Sequence, residues 1–116
     1  KNKAITMIFN KDGNITIITQ EKASVKTLVN NIEQVYEKYK NDHIIVRLSS
    51  LDTISLEDII EFLRVSNTHR GDKKSFVVVS DKVDLDIMPD EICIVPTMHE
   101  AYDIIEMEDI ERDLGF

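Results

Sequence analysis

Apolar and polar positions along this chain switch repeatedly between strand-like and helix-like periods. Ala4 to Phe9 is an apolar run of strand character, interrupted by Asn10-Lys11-Asp12-Gly13-Asn14 and resumed from Ile15 to Ile18. Glycine after aspartate tolerates the positive φ of a tight turn, so the two runs predict a β-hairpin. From Ser24, an N-cap candidate, Val25, Leu28, Val29, Ile32, Val35, Tyr36 and Tyr39 recur at helical spacing and predict one amphipathic helix. His43 to Leu48 is a continuous β-branched run that reads as a buried strand.

Ser55-Leu56-Glu57-Asp58 has the form of a capping box with aspartate in place of glutamate. It predicts a second helix through about Arg70, with Leu56, Ile59, Ile60, Leu63 and Asn67 on the inner face and Gly71 ending it. Phe76 to Val79 is the next buried strand. The acidic segment Asp81 to Asp90, carrying Val83, Leu85, Ile87 and Met88, fits a short helix or a packed loop. Ile92 to Val95 is a fifth strand. Thr97-Met98-His99-Glu100 is another capping box, placing Ala101, Ile104 and Ile105 on one face, with a further helical turn around Ile110. The order ββαβαβ(α)βα predicts an α/β domain over residues 1–116: a mixed sheet of about five strands covered by helices.

Composition narrows the function classes. The 116 residues are 42% hydrophobic and 31% charged, with a formal net charge of −8. The charge is uneven: residues 1–80 carry 12 Lys/Arg and 10 Asp/Glu, whereas residues 81–116 carry 2 and 12. Phosphate contacts need a basic surface, so this distribution argues against nucleic-acid binding and against an anionic membrane surface. The longest apolar runs are too short to span a bilayer, and no signal peptide is visible. Cys93 has no second cysteine to pair with, which points to a reducing, cytoplasmic setting. The chain opens on Lys1 rather than methionine, which suggests a trimmed start.

Candidate chemistry is sparse. His43, His69 and His99 read as surface residues near element ends, none at ligand spacing from another, and no CxxC or HExxH is present. No metal or cofactor is expected. Gly13, Gly71 and Gly115 build neither a Walker loop nor GxGxxG. Cys93, between Ile92 and Ile94, reads as a buried structural thiol rather than a nucleophile. The carboxylates Glu57/Asp58/Glu61 and those from Glu106 to Asp113 read as solvated helix faces. His69, Arg70, Lys73 and Lys74 form a basic cluster where the second helix ends. It fits the negative end of the helix dipole, or a docking point for an acidic partner such as the tail of another copy.

Two stretches, with the element order, resemble the STAS-type domain, the fold of bacterial anti-sigma factor antagonists. Ile44 to Leu56 is similar to that family's third strand and the loop opening its second helix. Ile94-Val95-Pro96-Thr97-Met98-His99-Glu100-Ala101 is similar to the step into its last helix. The resemblance implies a kinase-directed serine at the start of the second helix. In this register the acidic position is Ser55, the phosphoacceptor position is Leu56, and Glu57 and Asp58 take the following serine and glycine positions. A leucine accepts no phosphoryl group, so the switch is degenerate here.

Val95 to Ala101 with Met107 to Phe116, and the stretches Phe62 to Arg70 and Ser75 to Val79, further resemble a group of short STAS-like bacterial proteins that often carry the label ribonuclease Z. That enzyme needs two zinc ions and an H-x-H-x-D-H run that this chain lacks. The resemblance implies a non-enzymatic cytoplasmic module with an unknown protein partner. Its contact surface is Ser55, Leu56, Glu57, Asp58, Glu61 and Arg64 with the loop from Ser49 to Thr53. The alternatives are an accessory to RNA processing, or a self-associating structural protein.

Overall fold

The computed structural model describes residues 7–20, 25–48 and 55–115. Ala4 to Thr6, the Ser24 N-cap and the Ser49 to Thr53 loop lie outside them. Five strands form one sheet in the order β1-β2-β3-β4-β5: β1 (Met7–Asp12), β2 (Ile15–Gln20), β3 (His43–Leu48), β4 (Phe76–Val79) and β5 (Cys93–Val95). β1 pairs antiparallel with β2, and every later pair is parallel. The mixed α/β sheet expected from the sequence is the observed one. The hairpin is tighter than the polar run Asn10–Asn14 suggests, because Asp12 pairs directly with Ile15. Gly13 takes φ 62° at the first of the two turn positions, the requirement that selects glycine there.

Spatial order equals chain order, so each crossover between parallel strands moves the same way across the sheet. Connections of one hand then fall on one face. That face holds α1 (Val25–Tyr39), α2 (Leu56–Ile60), α3 (Leu63–Gly71) and a 3₁₀ turn at Leu85–Ile87. Strand alternation supplies its core: Ile18, Ile44, Val46, Phe76 and Val78 pack with Leu28, Ile32, Ile59 and Phe62. The opposite face, built on Ile15, Ile45, Val77 and Val79, meets α4 (Met98–Asp113) through Ala101 and Ile105.

The second helix departs from the expected one. It breaks at Glu61 and Phe62, whose N–H groups bond three residues back, to Asp58 and Ile59 at 3.2 and 3.0 Å; the four-residue ladder resumes at Ser66. Two such bonds tighten the chain and rotate the following face. Ile59, Phe62, Val65 and His69 therefore enter the core, while Ile60 is 46% exposed and Asn67 lies on the surface. Gly71 is the last helical residue rather than the residue that turns the chain. Lys73 takes the left-handed conformation, φ 67°, and the Lys74 N–H closes back on the His69 carbonyl at 3.2 Å. At the C-terminus one continuous α4 replaces the two helical pieces, and Ile110 faces solvent.

Candidate functional site

The start of α2 follows the carboxyl end of β3, the end of a parallel sheet where α/β folds place their sites. Ser55 is the N-cap: its Oγ accepts from the Asp58 N–H at 3.1 Å, and its own N–H donates to Asp58 Oδ2 at 3.3 Å. The box read from the sequence is thus present, and both partners of this short segment are committed to holding it. Leu56 is half-buried, with Glu57, Ile60 and Glu61 exposed beside it. Arg64 forms a two-pronged pair with Glu33 of α1, Nε to Oε2 at 2.9 Å and Nη2 to Oε1 at 3.1 Å. Its charge pins α3 to α1 from the solvent side.

One feature at this end of the sheet escaped the reading of the sequence. A cleft of about 330 Å³ opens at the carboxyl ends of β3 to β5, lined by Arg47, Leu48, Val79, Ser80, Asp81, Lys82 and Pro96. The residues carry a signal only in being the first polar groups after apolar strands. Ser80 Oγ accepts from the Lys82 N–H at 3.1 Å, which holds the rim of the cleft.

The basic cluster is divided by the fold. His69 is wholly buried, so it belongs to the core and not to a docking surface. Its Nε2 lies 2.7 Å from the Asp42 carbonyl oxygen, which can only accept, so the ring proton sits on Nε2. Nδ1 then accepts from the Tyr36 hydroxyl. Burial holds the imidazole below its ordinary pKa. Asp42 also accepts from Thr16 Oγ1 at 2.8 Å and pairs with Lys11 at 3.1 Å, joining β1, β2 and α3 through one turn. Arg70 donates to the Glu91 carbonyl at 2.9 Å and lines a groove with Glu108, Glu111 and Arg112. The acidic helix end meets this basic residue within one chain.

His43 is also buried, against the expectation of a surface residue. It sits at the amino end of β3 in a polar network with α4. Nδ1 accepts from the Ser75 N–H at 3.0 Å, so Nε2 carries the proton toward Asp109 at 3.1 Å. Ser75 Oγ donates to Glu108 and accepts from Arg112, which also reaches Asp109 at 3.1 Å. Serine, histidine and aspartate are close together here, but the histidine contacts the serine's backbone, not its hydroxyl. With Ser75 Oγ buried and already donating to Glu108, the arrangement fastens α4 to the sheet instead of activating a nucleophile.

Cys93 is half-buried, and burial pushes its thiol up, away from the thiolate. Among the described residues no three His, Cys, Asp or Glu side chains group to hold a metal ion. Among the same residues no helix is long and apolar enough to cross a membrane.

No protein-family model matches the sequence, and no curated protein matches it. Among solved structures, the chain is similar to a Thermotoga maritima protein described as an anti-sigma factor antagonist. The TM-score is 0.64 at 15% identity, over 86% of this chain and 94% of that one. With the strand order and helix placement above, that likeness gives the chain a STAS-like, anti-sigma factor antagonist-type fold.

Proposed function

We propose that the chain is a non-enzymatic, cytoplasmic protein-interaction module of STAS type that works without the family's phosphoswitch. Its partner surface is Ser55, Leu56, Glu57, Asp58, Glu61 and Arg64, with the preceding loop from Ser49 to Thr53. One observation carries the reading. The hydroxyl nearest the switch position, that of Ser55, caps α2, while the position itself holds Leu56 beside an exposed Ile60. A small apolar patch ringed by charges suits a protein partner: the apolar groups supply affinity, and Glu57 and Glu61 supply selectivity. The exposed Arg70 and Lys73, with the half-buried Lys74, are a secondary contact for an acidic partner.

The test is affinity capture from native lysate with the full chain and its Ile60→Asp and Glu57→Lys variants, read by mass spectrometry. A protein retained by the wild type and lost from both variants supports the proposal. An identical set on all three overturns the assignment of this surface.

A further inference from the structure

α4 has two apolar faces. Ala101 and Ile105 point into the sheet, while Met107, Ile110 and Leu114, at spacings of three and four, share the opposite side. These three are 50%, 54% and 66% exposed, a continuous stripe on a helix already anchored by its other face. Met107 and Ile110 form the floor of a groove of about 400 Å³ whose remaining walls are Asp103, Glu106 and Glu111. The charges around the stripe are carboxylates. Arg112 is turned away, bonded to Ser75, Glu108 and Asp109 on the inner side. His99, near Asp103 at 3.4 Å, stands at the far end from Leu114.

We propose that this outer face of α4 is a docking groove for a basic amphipathic helix of another protein. Apolar anchors at i, i+3 and i+7 would pack along Met107, Ile110 and Leu114, as in other helix-in-groove complexes. Lysine or arginine flanking those anchors would meet Asp103, Glu106 and Glu111. The acidic rim selects among occupants. A second copy would set these carboxylates against their own equivalents, and an anionic membrane would be repelled in the same way. The surface lies across the sheet from α2, so it is separate from the contact surface proposed above.

The test uses the full chain and two labelled 20-residue amphipathic peptides with identical leucine anchors, one flanked by lysine and arginine, the other by glutamate. Fluorescence anisotropy should show binding of the basic peptide at least tenfold tighter than the acidic one, weakening as salt is raised. Ile110→Asp should reduce that affinity at least tenfold, and the double variant Glu106→Lys, Glu111→Lys should reverse the preference. Ile60→Asp, on α2, should leave it unchanged, which separates this surface from the other. Circular dichroism of each variant checks the fold, and Met107→Lys stands in should Ile110→Asp unfold. Equal binding of both peptides, no effect of a folded stripe variant, or dimers in sedimentation that Ile110→Asp dissolves would each overturn the proposal.

Discussion

The Tyr36 hydroxyl donates to Nδ1 of His69 at 2.7 Å, joining α1 to α3 across 33 residues of sequence. The contact completes a ring whose other nitrogen is held by the Asp42 carbonyl, so the imidazole is satisfied on both sides while wholly buried. Tyr36→Phe keeps the ring packing and removes only the donor. It should destabilise the fold by about 1–3 kcal/mol, the range for a buried acceptor left without its partner. Urea denaturation reads this as a lower midpoint with unchanged slope. An unaltered midpoint would mean that the hydrogen bond contributes nothing.

Acid should weaken the protein from just below neutral pH. Burial is the main cause holding both His43 and His69 below the ordinary imidazole value, against the opposing pull of Asp109 on His43. Unfolded, each takes up a proton near pH ~6.5. Folded, each takes it up only at lower pH. As pH falls below ~6.5 the unfolded chain binds more protons, and stability present at neutral pH is progressively lost toward the folded values. For Asp42, burial acts upward, but hydrogen bonds from Thr16 and Lys11 outweigh it and lower the carboxyl, so its loss has the same sign in a more acidic window. The melting temperature should drop between pH 7 and pH 5 and again below pH 4. A flat profile from 7 to 5 would contradict the burial of the two rings.

The end of α3 carries a glycine two residues too early. Gly71 is helical, with open space where a Cβ would project, while Lys73 holds φ 67°. Gly71→Ala should stabilise by about 0.5–1 kcal/mol through lower unfolded-state entropy and better helix propensity. Lys73→Gly should add a gain of similar size, roughly 0.5–1 kcal/mol, by relieving a left-handed residue. Differential scanning calorimetry should show both variants melting higher than the wild type.

The break between α2 and α3 predicts an inversion of two neighbouring apolar positions. Phe62 is fully buried, and Phe62→Ala should cost about 3–5 kcal/mol. Ile60→Ala, on the exposed side, should stay within about 0.5 kcal/mol. Similar losses at both would restore the unbroken helix.

Strands were readable because each buried run is short, β-branched and bounded by turn chemistry, and α1 because a single apolar face leaves an unambiguous period. The helical period places Ile60 and Asn67 inward and the structure places them outward, because two three-residue bonds shift the phase and nothing in the residues marks where they form. The lower half of α4 was hard to read for another reason. Ala101 and Ile105 on one side and Met107, Ile110 and Leu114 on the other cancel as a periodic signal, so a continuous helix looked like two pieces. His99 is exposed, as the sequence implies, whereas His43 and His69 are buried against partners, Tyr36, Asp42, Ser75 and Asp109, that lie far away in sequence. Of the candidate site, the Ser55 cap was legible because it is local, whereas the Arg47–Lys82 cleft exists only once three strands lie side by side.

The even march of strands from β1 to β5 places all crossovers on one side of the sheet, and this leaves the other side to a single element. Among the described residues, Ile15, Ile45, Val77 and Val79 are covered by α4, through Ala101 and Ile105. Undocking of α4 would leave a half-clad sheet, and the helix that covers it is the one that offers the outer stripe. Closure of the second layer and presentation of that surface are therefore one event.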